Sequence, residues 1–167
     1  SDGLPLKFKS MKLAVQLMGR IQLQKWIQLL LYTSSQSTDS LSDEITQTAV
    51  TRGKLMELIA RAERPHDKNH HERAYMVGIL SLLDQLLGIE MRQIVNKLGI
   101  SDDMNQALLN RLGRLGQALK LIEAKEKGET ASIPSLLSEL DFLSLNELSD
   151  FETQIREWVD HADATVN

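Results

Sequence analysis

One stretch of the sequence constrains the fold more than any other: AYMVGILSLLDQLLG, residues 74–88. Its apolar residues do not form a single stripe at helical spacing, but cover nearly every face of the helix that they predict. A helix that is apolar all round lies inside a protein, because a helix at the surface keeps a polar face towards water. The sequence therefore predicts a central, buried helix over about residues 70–87.

The rest of the chain also favours helices, because no stretch alternates apolar and polar residues at period two. Glycines, prolines and a Ser/Thr-rich stretch separate the helical patterns from one another. Further helices are predicted over about residues 10–18, 20–32, 43–62, 90–98, 102–112, 114–127, 133–140 and 145–162. A chain of 167 residues is long enough for one domain with a real core. We predict one all-α domain over residues 1–167, an orthogonal multi-helix bundle with ridges-into-grooves packing.

Composition narrows the functional classes. The chain has no cysteine, which excludes disulfides, thiolate nucleophiles and Cys-ligated metals and fits a cytoplasmic protein. The net charge is −4, and residues 139–167 carry eight acids against one arginine, so binding to a nucleic-acid backbone is not expected. The longest apolar run, residues 26–32, is too short to span a membrane. The abrupt, basic start without Met indicates a piece of a longer protein.

The segment RPHDKNHHER, residues 64–73, holds three of the four histidines and suggests a metal site. His70 and His71 are adjacent in a predicted helix and point about 100° apart, so they do not share a face. Asn69 and Glu72 have the spacing of a capping box, which predicts that the helix starts there. We interpret the segment as a solvated polar loop. The alternative is a metal-dependent phosphohydrolase that uses these histidines.

Two further patterns favour a structural role. Residues 90–113 have the outline of a helix-turn-helix, but Asp102 and Asp103 would repel phosphates, and Asn105 stands where such motifs bury an apolar residue. Asp84 lies in the predicted central helix, where a carboxylate is unusual. We expect Asp84 to pair with an arginine from another helix or to sit at the edge of its own helix.

Residues 74–129, from AYMVGILSLLDQLLGIEMRQIVNKLG to IEAKEKGE, resemble the later half of the HDOD domain. The likeness is to the HDOD module joined to EAL domains in bacterial cyclic-di-GMP signalling proteins. KSMKLAVQLMGRIQLQKWIQLLLYT, residues 9–33, is similar to an earlier segment of that module, and REWVDHA, residues 156–162, to its end. The resemblance implies that the first helices of the full module are missing from this sequence. The apolar face of the predicted helices over 10–32 would then lack its usual cover, and we expect it to be covered by another copy of the chain or to remain as an exposed apolar patch.

HDOD domains are relatives of the HD phosphohydrolases, whose central helix carries Gly-Leu-Leu-His-Asp. The resemblance places Gly78-Ile79-Leu80 on the Gly-Leu-Leu, and Ser81 and Leu82 on the metal-binding His-Asp. A leucine cannot ligate a metal, and a lone serine hydroxyl is a poor ligand. The resemblance therefore implies a non-catalytic regulatory module that has no cofactor, metal or catalytic residue. Its expected partner is a neighbouring EAL domain, another signalling protein or a second copy of the chain.

Overall fold

The computed structural model describes residues 40–166, with side chains over residues 44–161. The helices predicted over residues 10–32, and the prediction that their apolar face lacks cover, lie outside the described residues. The regular elements of the described part are all helical. In chain order they are α1 (Ser40–Glu63), α2 (Lys68–Leu80), α3 (Leu83–Leu87), α4 (Met91–Leu98), α5 (Asp102–Asn110), α6 (Gly113–Lys127), a 3₁₀ turn (Thr130–Ser132), α7 (Ile133–Glu139) and α8 (Leu145–Val166).

The predicted all-α bundle is confirmed, and most predicted helices agree with the structure to within a few residues. Helix α2 packs most extensively against α1, and it also contacts α5 and α6. From Ala74 to Leu80 every residue except Met76 is buried. The predicted central position of this segment is therefore confirmed, because apolar residues on all its faces meet different neighbouring helices.

Two glycines allow α1 and α2 to approach closely. A Cβ atom added at Gly78 of α2 would lie 2.5 Å from the Cα and N atoms of Gly53 in α1. A Cβ added at Gly53 would lie 2.8 Å from Cγ1 of Ile79. Such distances are well inside van der Waals contact. The two backbones are therefore in contact at a point where only glycine fits without a shift of the helices.

The start of α2 differs from the predicted capping box. The helix begins at Lys68, and its N-cap is Asp67, whose carboxylate accepts a hydrogen bond of 3.0 Å from the backbone N–H of His70. The prediction that Asn69 and Glu72 form the cap was wrong by two residues, since Asp67 satisfies the free N–H groups first. The hydrogen bond from His70 holds the pKa of Asp67 below its ordinary value.

The prediction of one continuous helix over residues 70–87 was also wrong. The helix ends at Leu80, and a turn at Ser81 and Leu82 leads into the short α3. The Ser81 hydroxyl donates a 2.7 Å hydrogen bond to the carbonyl of Gly78, and the backbone leaves helical geometry at Leu82, where φ is −111° and ψ is 0°. A serine that bonds to the preceding turn competes with the helical ladder, and so favours such a break.

Candidate functional site

The turn at Ser81 and Leu82 is the position that the resemblance assigns to a hydrolase's metal-binding pair. Both residues are buried, with 4% of each exposed. Leu82 presents only an apolar side chain, whereas the Ser81 hydroxyl meets a charged group. The site is therefore built around Ser81 and the residues that contact it.

Arg52, near the middle of α1, is the charged group that contacts Ser81. Its Nη1 atom donates a hydrogen bond of 3.0 Å to the Ser81 hydroxyl. Its Nε and Nη2 atoms donate to the two carboxylate oxygens of Glu126 in α6, at 2.9 and 2.7 Å. Only 7% of Arg52 is exposed, whereas one third of the Glu126 side chain is, so this bidentate pair is shielded from water on the arginine side only.

A second arginine extends the network. Glu123 of α6 lies 3.9 Å from Arg52 and is held on its other side by Arg111, whose Nη2 atom donates at 3.1 Å. Arg111 ends α5 in the left-handed region, with φ of 55°, and its Nη1 also donates to the carbonyls of Ala107 and Leu108. Two arginines and two glutamates thus tie together α1, the turn after α2, the end of α5 and α6. We call Ser81, Arg52, Glu123, Glu126 and Arg111 the Arg52 network; Ser81 and Arg52 are buried, and the other three side chains are partly exposed.

The charges of this network stabilise one another. Burial by itself would lower the pKa of Arg52, but hydrogen bonding and attraction from Glu126, with smaller effects of Glu123 and Asp84, raise it above its ordinary value. Burial would raise the pKa of Glu123, but the hydrogen bond and charge of Arg111, followed by the charge of Arg52, hold it below its ordinary value. Both groups therefore stay ionised over the physiological pH range.

The chemistry open to this site is limited. Ser81 donates its hydroxyl proton to the carbonyl of Gly78 and accepts from a guanidinium, so neither of these hydrogen-bond partners can act as a general base. Arg52 brings a permanent positive charge to the place that the resemblance assigns to a hydrolase's metal cation. The arrangement holds helices together, and it supplies neither an activated nucleophile nor a metal ligand at Ser81 and Leu82.

The histidine-rich segment forms the predicted solvated loop only in part, at its exposed first residues, 64–66. His66 is exposed, whereas His70 and His71 are buried, with only 3% and 6% of their surface accessible to solvent. Nε2 of His70 lies 2.7 Å from the carboxylate of Glu63, and Nε2 of His71 lies 2.6 Å from the carbonyl of Arg64. The prediction of a solvated loop was therefore wrong for these two residues, because α2 starts early enough to turn both inward against the end of α1.

The histidines also do not converge on one point, since His70 and His71 contact different partners. Across residues 44–161, no group of three or more His, Asp or Glu side chains has the geometry to hold a metal ion. His70 instead belongs to an ion cluster, in which Glu63 also pairs with Nε of Arg114 at 3.2 Å.

Asp84, and Asp103 of the helix-turn-helix outline, each contact other residues of the fold. Asp84 lies in the first turn of α3, where its carboxylate accepts from the N–H of Gln85 at 2.9 Å, and it contributes to the field at Arg52. The expectation of a helix-edge position is confirmed. Asp103 pairs with Arg73 of α2 at 3.0 Å, which fastens α5 to the central helix.

Sequence reasoning missed the Arg52 network. Arg52 and Glu126 are separated by 74 residues, and neither belongs to a recognisable motif. One signal was present, because Arg52 precedes Gly53 in a helix whose following residues are largely apolar. An arginine at such a position indicates a buried partner, but it does not say which one.

No helix in the described part of the chain combines the length and apolar character that crossing a membrane requires. No family model matches the chain, and no solved structure matches it. Two curated proteins match the chain. The uncharacterized protein YuxH of Bacillus subtilis is 31% identical over 140 residues, which is 83% of this chain and 33% of YuxH. The cyclic di-GMP phosphodiesterase CdgJ of Vibrio cholerae is 30% identical over 142 residues, which is 85% of this chain and 32% of CdgJ.

The chain is similar to one third of a cyclic di-GMP phosphodiesterase. It spans about a third of the length of both curated relatives that it matches. The similarity supports the part of the resemblance that concerns cyclic-di-GMP proteins. The finer assignment, to the HDOD domain, stays a prediction.

Proposed function

We propose that this chain is a non-catalytic regulatory and protein-interaction module of a bacterial signal-transduction protein in a cyclic-di-GMP pathway. The observation that carries the proposal is the surroundings of Ser81 and Leu82. At the position assigned to a metal-binding His-Asp pair, the chain has a leucine and a serine hydrogen-bonded to Arg52. A guanidinium repels a metal cation. The replacement of the His-Asp ligands and the presence of Arg52 therefore both favour a non-catalytic module.

The length of the relatives supports the proposal that this chain has a regulatory role and that another domain carries the catalytic activity. CdgJ is named for phosphodiesterase activity, and this chain matches 32% of it. Under the proposal, turnover of cyclic di-GMP belongs to a neighbouring EAL domain, outside the matched third. The module would contact that domain, another signalling protein or a second copy of itself, in the cytoplasm.

The first test measures metal and turnover. The purified chain, treated with chelator and dialysed, is analysed for bound metal and assayed with cyclic di-GMP and a generic aryl phosphate. We expect less than stoichiometric metal and no turnover. His66→Ala removes the exposed histidine of the segment that the phosphohydrolase alternative would use to bind metal, and His161→Ala, an exposed histidine in α8, is the matched control. Stoichiometric metal with turnover that His66→Ala abolishes and His161→Ala retains would establish the phosphohydrolase alternative.

A second test concerns the neighbouring domain. The complete reading frame that encodes this chain is sequenced and expressed, and its phosphodiesterase activity is compared with and without residues 1–167. We expect an EAL domain in the same frame and a change in its kcat or KM when the module is deleted. An EAL domain whose kinetics are the same in both forms would contradict the regulatory role.

A further inference from the structure

Helix α2 buries apolar side chains on the side that points away from the core. Val77 and Ile79 are two residues apart, so their side chains point about 160° apart around the helix. Val77 belongs to the hydrophobic core of the described helices, whereas Tyr75, Ile79 and Leu82 do not. In the whole chain, however, Tyr75 and Ile79 are each 1% exposed, and Leu82, in the turn after α2, is 4% exposed. We call Tyr75, Ile79 and Leu82 the Tyr75 face.

The described helices account for the core side of α2 better than for the Tyr75 face. Helix α1 meets this face at Gly53, where an added Cβ atom would lie 2.8 Å from Cγ1 of Ile79 and 3.2 Å from Cε2 of Tyr75. A glycine has no side chain with which to cover a tyrosine ring. The other helices that α2 contacts closely are α5 and α6, and their buried side chains belong to the same core as Val77. We therefore expect residues outside the described part to cover the Tyr75 face.

One segment outside the described part has the pattern that such a cover needs. The sequence predicts a helix over residues 20–32, and its apolar residues recur at i, i+3, i+4, i+7 and i+8. These residues are Leu23, Trp26, Ile27, Leu30 and Leu31. A helix of this length extends over about 20 Å, whereas the stretch of α2 from Tyr75 to Leu82 extends over about 10 Å. The predicted helix is therefore long enough to cover the face.

The connection to α1 permits docking within one chain. Residues 33–39 join the predicted helix to Ser40, the first residue of α1. An extended stretch of this length reaches about 25 Å, and Ser40 and Gly53 are about 20 Å apart along α1. A short tether holds the segment at an effective concentration in the millimolar range, which favours docking on the same chain over docking on a second copy.

We propose that residues 20–32 dock as a helix on the Tyr75 face, with their apolar side against Tyr75, Ile79 and Leu82. This contact would cover the apolar side of the predicted helix without a second copy of the chain. It would also close the side of α2 that points away from the core, so a protein partner of the module would bind elsewhere. The inference goes beyond the proposed function and does not rest on it, since a regulatory module and an enzyme can share this packing.

The first test uses Trp26, which a Trp158→Phe variant of the full chain leaves as the only tryptophan. Its emission maximum and its quenching by acrylamide are measured in this parent protein. Ile79→Ala then truncates a side chain of the Tyr75 face. Val77→Ala truncates another buried, β-branched side chain of α2, on the core side, and is the matched control. Circular dichroism shows whether both variants are folded.

We expect Trp26 to be protected from acrylamide in the parent protein. Ile79→Ala should raise its quenching constant at least about twofold and shift its emission to the red, because loss of the contact lets the segment leave the face. Val77→Ala should have a smaller effect on both. Quenching of Trp26 in the parent protein as strong as in urea would overturn the inference, as would equal effects of the two truncations.

A second measurement needs no destabilising variant. In the unaltered full chain, nuclear Overhauser effects are recorded between the methyl groups of Ile79 and the side chains of residues 20–32. A mixture of isotope-labelled and unlabelled chains separates contacts within a chain from contacts between chains. Contacts within one chain would support the inference. Contacts only between chains would show that a second copy supplies the cover, and no contacts would show that another part of the chain does; either result would overturn the inference. The metal and turnover assays do not depend on this packing, so its failure is distinguishable from failure of the proposed function.

Discussion

The contact between α1 and α2 predicts a large effect of replacing Gly78 with alanine. Gly78 is buried and lies in the last turn of α2, where alanine has the better helix propensity, by up to about 1 kcal/mol. If local propensity decided the result, Gly78→Ala would stabilise the protein. The structure predicts the opposite, because the new Cβ atom would lie 2.5 Å from the Gly53 backbone and 2.7 Å from the Arg52 carbonyl carbon.

The loss of stability can be estimated from the atoms that the new Cβ atom would contact, which belong to the backbone of α1. Carbon atoms in contact prefer separations of about 3.5–4.0 Å, so the overlap is about 1 Å or more. Backbone atoms of a packed helix cannot change rotamer, so α1 and α2 must separate. Overpacking costs about 1–3 kcal/mol and sometimes more, and we expect the upper part of that range here. After the gain in propensity, the free energy of unfolding should fall by about 2 kcal/mol, and Tm by about 4–8 °C.

The measurement is urea unfolding followed by circular dichroism, with a thermal scan as a second readout. Gln154→Ala, at an exposed position of α8, is the control and should change stability by less than about 0.5 kcal/mol. A Gly78→Ala protein as stable as the wild type, or more stable, would show that the two backbones are not in contact at this point. The close packing of α1 on the central helix would then be refuted.

Three further predictions concern charged and polar groups. Arg111 helps hold the pKa of Glu123 below its ordinary value. The ionised Glu123 therefore contributes to the free energy of unfolding at pH values above its unfolded pKa of about 4.3. That contribution is lost as the pH falls through the lower pKa of the folded state. Urea unfolding between about pH 6 and 3 should therefore show a smaller acid-induced loss for Glu123→Gln, and an equal loss would contradict the assignment. His70→Ala should lower the free energy of unfolding by about 2–3 kcal/mol, whereas His66→Ala should change it by less than about 0.5 kcal/mol; similar effects would argue against burial of His70. Asp67→Ala should speed amide exchange at His70 by removing the helix cap, and unchanged exchange would argue against this cap.

Much of the fold follows from local patterns. Apolar periodicity and the placement of glycine depend on neighbouring residues only, so the helices from α1 to α8 could be predicted with errors of a few residues at their ends, except that α3 was not separated from α2. The two errors in the predicted helices, at the start and at the end of α2, have a common cause. The break at Ser81 and the start of α2 at Asp67 each depend on one polar side chain that bonds to the backbone, and periodicity does not register such bonds.

By itself, the sequence determined that the chain is all-α and that residues 74–80 lie at its centre, because a helix without a polar face has no other stable place. The tertiary structure alone decided which residues meet there. Arg52 reaches Ser81 across 29 residues and Glu126 across 74, and Gly53 faces Gly78 only because two helices cross at those points. Contacts between distant residues arise from the packing of whole helices, so no local pattern encodes the guanidinium beside Ser81.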